Sequence, residues 1–174
     1  MKNVLIHHTL NDEIYTPAYA LNPSLKYLPK NIKIWECTDY GESNITKVLK
    51  EHGYEVITTH KRDFDFLTDK PSFEFDMIIT NPPYSLKDKF IEKCYSYNKP
   101  FALLLPITTL EGIFRGGLFR QFGIQLIVLD KRIQFMEHMK TDYNKKTGNW
   151  FNTSWFCWKL LKSDLIFERL EYEK

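Results

Sequence analysis

The feature that most limits what this chain can fold into is an alternation. Short apolar runs, each the length of a buried strand, are separated by segments with helical periodicity. "KIWEC" (33–37) reads as a strand and "NITKVLKEHG" (44–53) as a helix closed by Gly53. Strands follow at 54–59 ("YEVITT") and 76–80 ("DMIIT"), then a helix over 85–97 with Ser85 and Asp88 at capping-box spacing. "FALLLP" (101–106), "IQLIVL" (124–129) and "TSWFCWKLL" (153–161) are further strands. Between the first two of these lies "TTLEGIFRGGLFRQFG", a helix broken by glycine hinges. The pattern predicts an α/β fold, a mainly parallel sheet with helices on both faces. "TSWFCWKLL" and "DLIFERLE" lack a helix-sized spacer, so an antiparallel hairpin is expected at one edge.

A chain of 174 residues fits one domain, without room for a separate target-recognition domain. Apolar residues make up 43% and the formal charge is +2, which describes a folded globular chain and neither demands nor excludes nucleic acid. Cys37, Cys94 and Cys157 are widely spaced and suggest neither a disulfide framework nor a zinc site. His7 and His8 have no third ligand nearby in sequence, so no metal is expected. His52 sits beside a helix C-cap, where it suits the dipole, and His138 lies in a polar loop. Trp35, Trp155 and Trp158 read as core. No window is long and apolar enough for a membrane span or signal peptide, which leads to an expected cytoplasmic setting.

The strand at 76–80 runs into Asn81-Pro82-Pro83-Tyr84. Proline cannot donate to a strand ladder, so the chain leaves the sheet there. In open α/β sheets, ligands bind beyond the carboxyl ends of strands, which is where Asn81 stands. A nucleobase amine is a poor nucleophile because its lone pair is delocalised into the ring. Two acceptors on its N–H bonds favour a pyramidal nitrogen that can attack, and the Asn81 side chain and Pro82 backbone each offer one carbonyl. The prolines hold both still, and Tyr84 offers a flat face for a flipped base. The plainer alternative is a strand exit with an interfacial tyrosine.

In this context the tetrapeptide resembles the catalytic motif of S-adenosylmethionine-dependent amino-methyltransferases. The chain from about Asp12 to Leu161 is similar to small phage and prophage DNA adenine-N6 enzymes of Rossmann-like fold. The resemblance implies that Thr16 and Pro17 in "YTPAYAL" meet the methionine end of the cofactor. It implies further that Glu36 and Gly41 belong to the cofactor turn, and that Asp65 and Phe66 hold its adenine. Asp63 is then a loop-capping acid beside Asp65. "LLLP" (103–106) and the late aromatic strand also match, in the order of the gamma-type arrangement. The turn "TDYGES" has one glycine, with Ser43 at a second glycine's place, and His60 stands where an acid on the ribose hydroxyls is usual. Modest cofactor affinity is therefore expected.

Arg115 and Arg120 around "GG", with Lys140, Lys145 and Lys146 in the segment 136–150, are the candidate nucleic-acid contacts; a solvated loop is the alternative. Asn149 belongs with them, and Tyr143 or Trp150 is the candidate base wedge. Lys87, Lys89 and Lys93 read as a wet helix face. DNA is the expected partner, RNA is allowed, and so is a homodimer. The tetrapeptide does not choose among DNA adenine, RNA adenine, cytosine N4 and protein glutamine. A cofactor-impaired relative acting as a binding module is a further reading.

Overall fold

A computed structural model describes residues 14–137 and 152–172 of the chain. In chain order the elements are β1 (Ile14–Tyr15), α1 (Asn22–Leu25), β2 (Lys33–Glu36), α2 (Asn44–Glu51), β3 (Glu55–Thr58), β4 (Met77–Thr80) and α3 (Lys87–Ser96). They continue with β5 (Phe101–Pro106), α4 (Ile113–Phe122), β6 (Gln125–Leu129), β7 (Met136–Glu137), β8 (Thr153–Trp158) and β9 (Leu165–Glu168). One mixed sheet of seven strands runs β3-β2-β4-β5-β8-β6-β9, and β1 and β7 form a small separate antiparallel ribbon. Pairing is parallel throughout β3-β2-β4-β5 and between β6 and β9.

The strands are apolar without alternation because both sheet faces are covered, and successive side chains go to opposite cores. Ile34, Met77, Ile79, Ala102 and Leu104 pack with Ile45, Val48 and Leu49 of α2. Trp35, Ile78, Phe101, Leu103 and Leu105 pack with Phe90, Ile91 and Cys94 of α3. Trp35 centres the second core: five aromatic rings, those of Phe64, Phe66, Phe73, Phe75 and Tyr97, have centroids 4.9–5.8 Å from it. Trp155 and Trp158 are buried too, as expected.

α2 forms as its sequence suggests. The Ser43 side chain accepts from the Thr46 N–H at 3.1 Å, and Gly53, at φ +83°, turns the chain out of the helix into β3.

Three expectations change in detail. The antiparallel strand is β8, but it is interior, pairing with β5 and β6 and not with "DLIFE", which joins β6 in parallel. Ser85 is not the cap residue of the helix: Tyr84–Leu86 make one 3-10 turn, and α3 starts at Lys87 with Leu86 as its cap residue. The glycine hinges of the 108–123 segment are Gly112 and Gly123, at φ +128° and +79°; Gly116 and Gly117 lie within continuous α4.

Candidate active site

The carboxyl ends of β2, β3 and β4, neighbours in the sheet, open onto a cavity of about 280 Å³. Thr16, Glu36, His60, Asp65 and Phe66 line it, and so do Asn81 and Pro83. Residues from three separate stretches, at 16, 36 and 60–66, thus meet the start of the tetrapeptide. Pro17 and Gly41 are not among its lining residues. Pro17 is buried next to Thr16 in sequence. Gly41 makes the turn after β2 at φ +100°, a conformation that favours glycine.

Asn81 is held by bonds to a distant segment. Its Nδ2 donates to Thr16 Oγ1 at 2.9 Å, and Asn44, the first residue of α2, donates through Nδ2 to the Thr16 carbonyl at 2.9 Å. With its nitrogen on Thr16, the carboxamide has a defined orientation in which the oxygen is the acceptor end. Pro82 is buried, and Pro83, at φ −54° and ψ 123°, leads into the turn at Tyr84. Tyr84 is less open than a free platform: its half-buried ring packs against the aromatic core, and burial holds its phenol well above the ordinary range. It does not line the cavity.

Two acids sit deep in the site. Glu36 is buried at the end of β2 and accepts from the Thr38 N–H at 3.1 Å, the Thr38 hydroxyl at 2.9 Å and the Thr80 hydroxyl. Burial pushes its carboxyl up to about 7, while those hydrogen bonds pull the other way. Asp39 was not a candidate from sequence, although "TDYG" carries an Asx-turn signal. Its carboxylate accepts from the N–H groups of Glu42 and Ser43 at 3.2 and 3.0 Å and from the Thr46 hydroxyl at 2.6 Å. Burial raises its carboxyl, but these donors outweigh that, and the net shift is downward. Asp39 therefore takes up the turn amides just before α2, which in a glycine-rich turn would otherwise face a ligand.

At the other end, His60 stacks on Tyr40 with ring centroids 3.7 Å apart, and the Arg62 guanidinium lies 5.0 Å from the Tyr40 centroid. The Arg62 N–H donates to His60 Nδ1 at 3.3 Å. Asp65 closes its own loop, its Oδ1 accepting from the Leu67 N–H at 2.9 Å. Phe66 is buried and stacks on Phe90, centroids 5.0 Å apart. Asp63 is exposed and is not a lining residue.

Of the nucleic-acid candidates, Arg115 is engaged internally. Nη1 donates to Asp88 Oδ1 at 2.6 Å, Nε to the Thr109 carbonyl at 2.7 Å and Nη2 to the Glu111 carbonyl, so it ties α4 to α3. With the side chain 15% exposed, this is a structural brace. Arg120 is exposed on α4. Lys87 donates to the Tyr84 carbonyl at 3.2 Å, and Lys93 lies 5.6 Å from the Tyr97 ring centroid, so neither is simply wet. His138, Lys140, Tyr143, Lys145, Lys146, Asn149 and Trp150 lie outside the described residues.

No protein-family model and no curated protein sequence matches the chain. Among solved structures it is similar to the methyltransferase subunit of a type I restriction-modification system from Streptococcus thermophilus. That match has a TM-score of 0.53 at 17% identity over 93% of this chain. This chain spans only about half of that subunit, 49%. It is also similar to a predicted O-methyltransferase from Agrobacterium tumefaciens, with a TM-score of 0.50 at 12% identity over 87% of this chain and 84% of that one. The chain shares the Rossmann-like fold of these methyltransferase structures.

Proposed function

We propose that the chain transfers a methyl group from S-adenosylmethionine to an exocyclic amine, with N6 of adenine in DNA as the leading substrate. The observation that carries this reading is the Asn81–Thr16 hydrogen bond across a cavity also lined by Glu36, His60, Asp65 and Phe66. The residues fit the cofactor at both ends. A slot of Phe66, Leu67, Phe90 and Asp65 suits a flat polar base, and Thr16 with Asn44 suits an amino-acid end. When bound, the cofactor supplies a methyl on a cationic sulfonium, so no strong general base is needed. Asn81 Oδ1 and the Pro82 carbonyl accept from the target amine, and the prolines keep both acceptors fixed. The half-exposed part of Tyr84 meets the edge of the target base.

Measuring transfer of labelled methyl from the cofactor to DNA, RNA and protein, with Asn81→Ala as control, tests this reading. Transfer to DNA that vanishes in the variant supports it; no transfer to any acceptor overturns it. A second reading, a binding module that no longer turns over, is favoured by Asp39 occupying the turn amides of Glu42 and Ser43 just before α2. Cofactor binding without transfer would select it.

A further inference from the structure

The donor and acceptor inventory at the mouth of the cavity points to a ligand class of its own. A ribose diol offers two O–H donors and is best held by acceptors. Deep in this cavity Glu36 accepts through Oε1 alone from Thr38 and Thr80, and Asp39 accepts from Glu42, Ser43 and Thr46. After β3 the lining residues His60, Lys61 and Arg62 are basic and contiguous. Because His60 Nδ1 accepts from the Arg62 N–H, a neutral ring carries its proton on Nε2, which makes that edge a donor. Lysine and arginine side chains have donors only. Among the described residues no carboxylate forms an ion pair with Lys61 or Arg62, and Tyr40 holds the Arg62 guanidinium at 5.0 Å from its ring centroid.

We propose that this end of the cavity binds a phosphate carried on the ribose of an adenine nucleotide, and that such nucleotides compete with the methyl donor for the site. Phosphate is an acceptor-rich dianion that matches a guanidinium, an ammonium and an imidazole N–H. The inference rests on reading Asp65 and Phe66 as the adenine slot, but not on methyl transfer itself. A free nucleotide and a nucleotide within a strand share this chemistry.

Titration calorimetry of the full chain with adenosine and its 2′-, 3′- and 5′-monophosphates tests the proposal. The 2′- or 3′-phosphate is expected to bind about tenfold or more tighter than adenosine and 5′-phosphate, since charge-assisted bonds are worth about 1.5–3 kcal/mol. The gain is expected to disappear in the double variant Lys61→Ala/Arg62→Ala. Both side chains are exposed, so its melting temperature should match that of the parent. Equal affinities, an equal gain from the 5′-phosphate, or a preference that survives the double variant would each overturn the proposal. A dinucleotide with a 3′-linked phosphate adds a further arm. Binding as tight as the 3′-monophosphate assigns the site to a strand, and weaker binding assigns it to free nucleotides. S-adenosylhomocysteine separates the two readings. Its binding without phosphate preference removes this inference and keeps the methyl-donor site; the reverse result keeps the phosphate site but removes the donor, and with it the competition.

Discussion

The two ends of the cavity are built by opposite means. At the Asn81 end, side chains far apart in sequence are joined, Asn44 to Thr16 and Thr16 to Asn81, beside a Thr16 that is only 7% exposed. At the His60 end the contacts run among near neighbours in sequence or on the surface, and Tyr40 is 49% exposed. Long-range buried bonds hold an atom in one place, as positioning of a reacting group requires. A surface stack of aromatic and basic groups sorts ligands by charge and shape while remaining adjustable. Under the proposed function, the reaction belongs to the Asn81 end and ligand choice to the open one.

Breaking the stiff end should cost most. Asn81→Ala removes one of two preorganised acceptors and is expected to lower kcat by about 100- to 1,000-fold, the range seen when one preorganised group is deleted. Its melting temperature should fall by only the few degrees that one lost hydrogen bond is worth, and steady-state methyl transfer alongside a thermal melt checks both. Glu36 comes next. Its folded-state carboxyl holds a proton up to about pH 7, whereas the unfolded chain releases it near the ordinary 4.5. The folded state thus binds more protons between these values, and stability falls as pH rises through that window. Glu36→Gln should flatten the slope, by roughly 3 kcal/mol at most across it. Denaturant melts at pH 5 and pH 8 read the difference, and an unchanged slope would remove Glu36 as its source.

Thr16→Val keeps the shape but deletes the hydroxyl that accepts from Asn81. It should cost about 1 kcal/mol of stability and, through misorientation of the carboxamide, about tenfold in kcat, with a smaller rise in KM for the donor. A rise in KM for the donor with kcat unchanged would instead place Thr16 at the ligand alone. The smallest change belongs to the open end. Tyr40→Ala should shift stability by less than about 1 kcal/mol, yet weaken nucleotide binding measurably in the same calorimetric titrations. A large stability loss would show the mouth to be as stiff as the Asn81 end.

What was legible in the sequence follows the range of the interactions. Strand β4, its proline exit and the placing of Asn81 depend on local backbone rules, and the structure puts them where those rules say. The gathering of Thr16, Glu36, His60, Asp65 and Phe66 at one cavity was reached through resemblance, because no local rule brings residues 16 and 81 together. The pairing of β8 was missed for the same reason, since strand order is a long-range property. One local signal did exist: "TSWFCW" is buried at every position, and a run apolar on both faces suits an interior strand better than an edge. Arg115 was misread because a charge beside glycines looks solvated until the Asp88 carboxylate and two carbonyls are seen around it.

The interior place of β8 also affects how the molecule is made. Every strand whose end opens on the cavity precedes residue 81, and β5 completes that parallel half by residue 106. Until residues 153–158 emerge from synthesis, however, one edge of Phe101–Leu105 stands open, an uncharged run that is fully buried in the finished sheet. Such an edge is a template for pairing with another nascent copy. The late aromatic strand is therefore what covers the remaining edge of the half that bears the cavity.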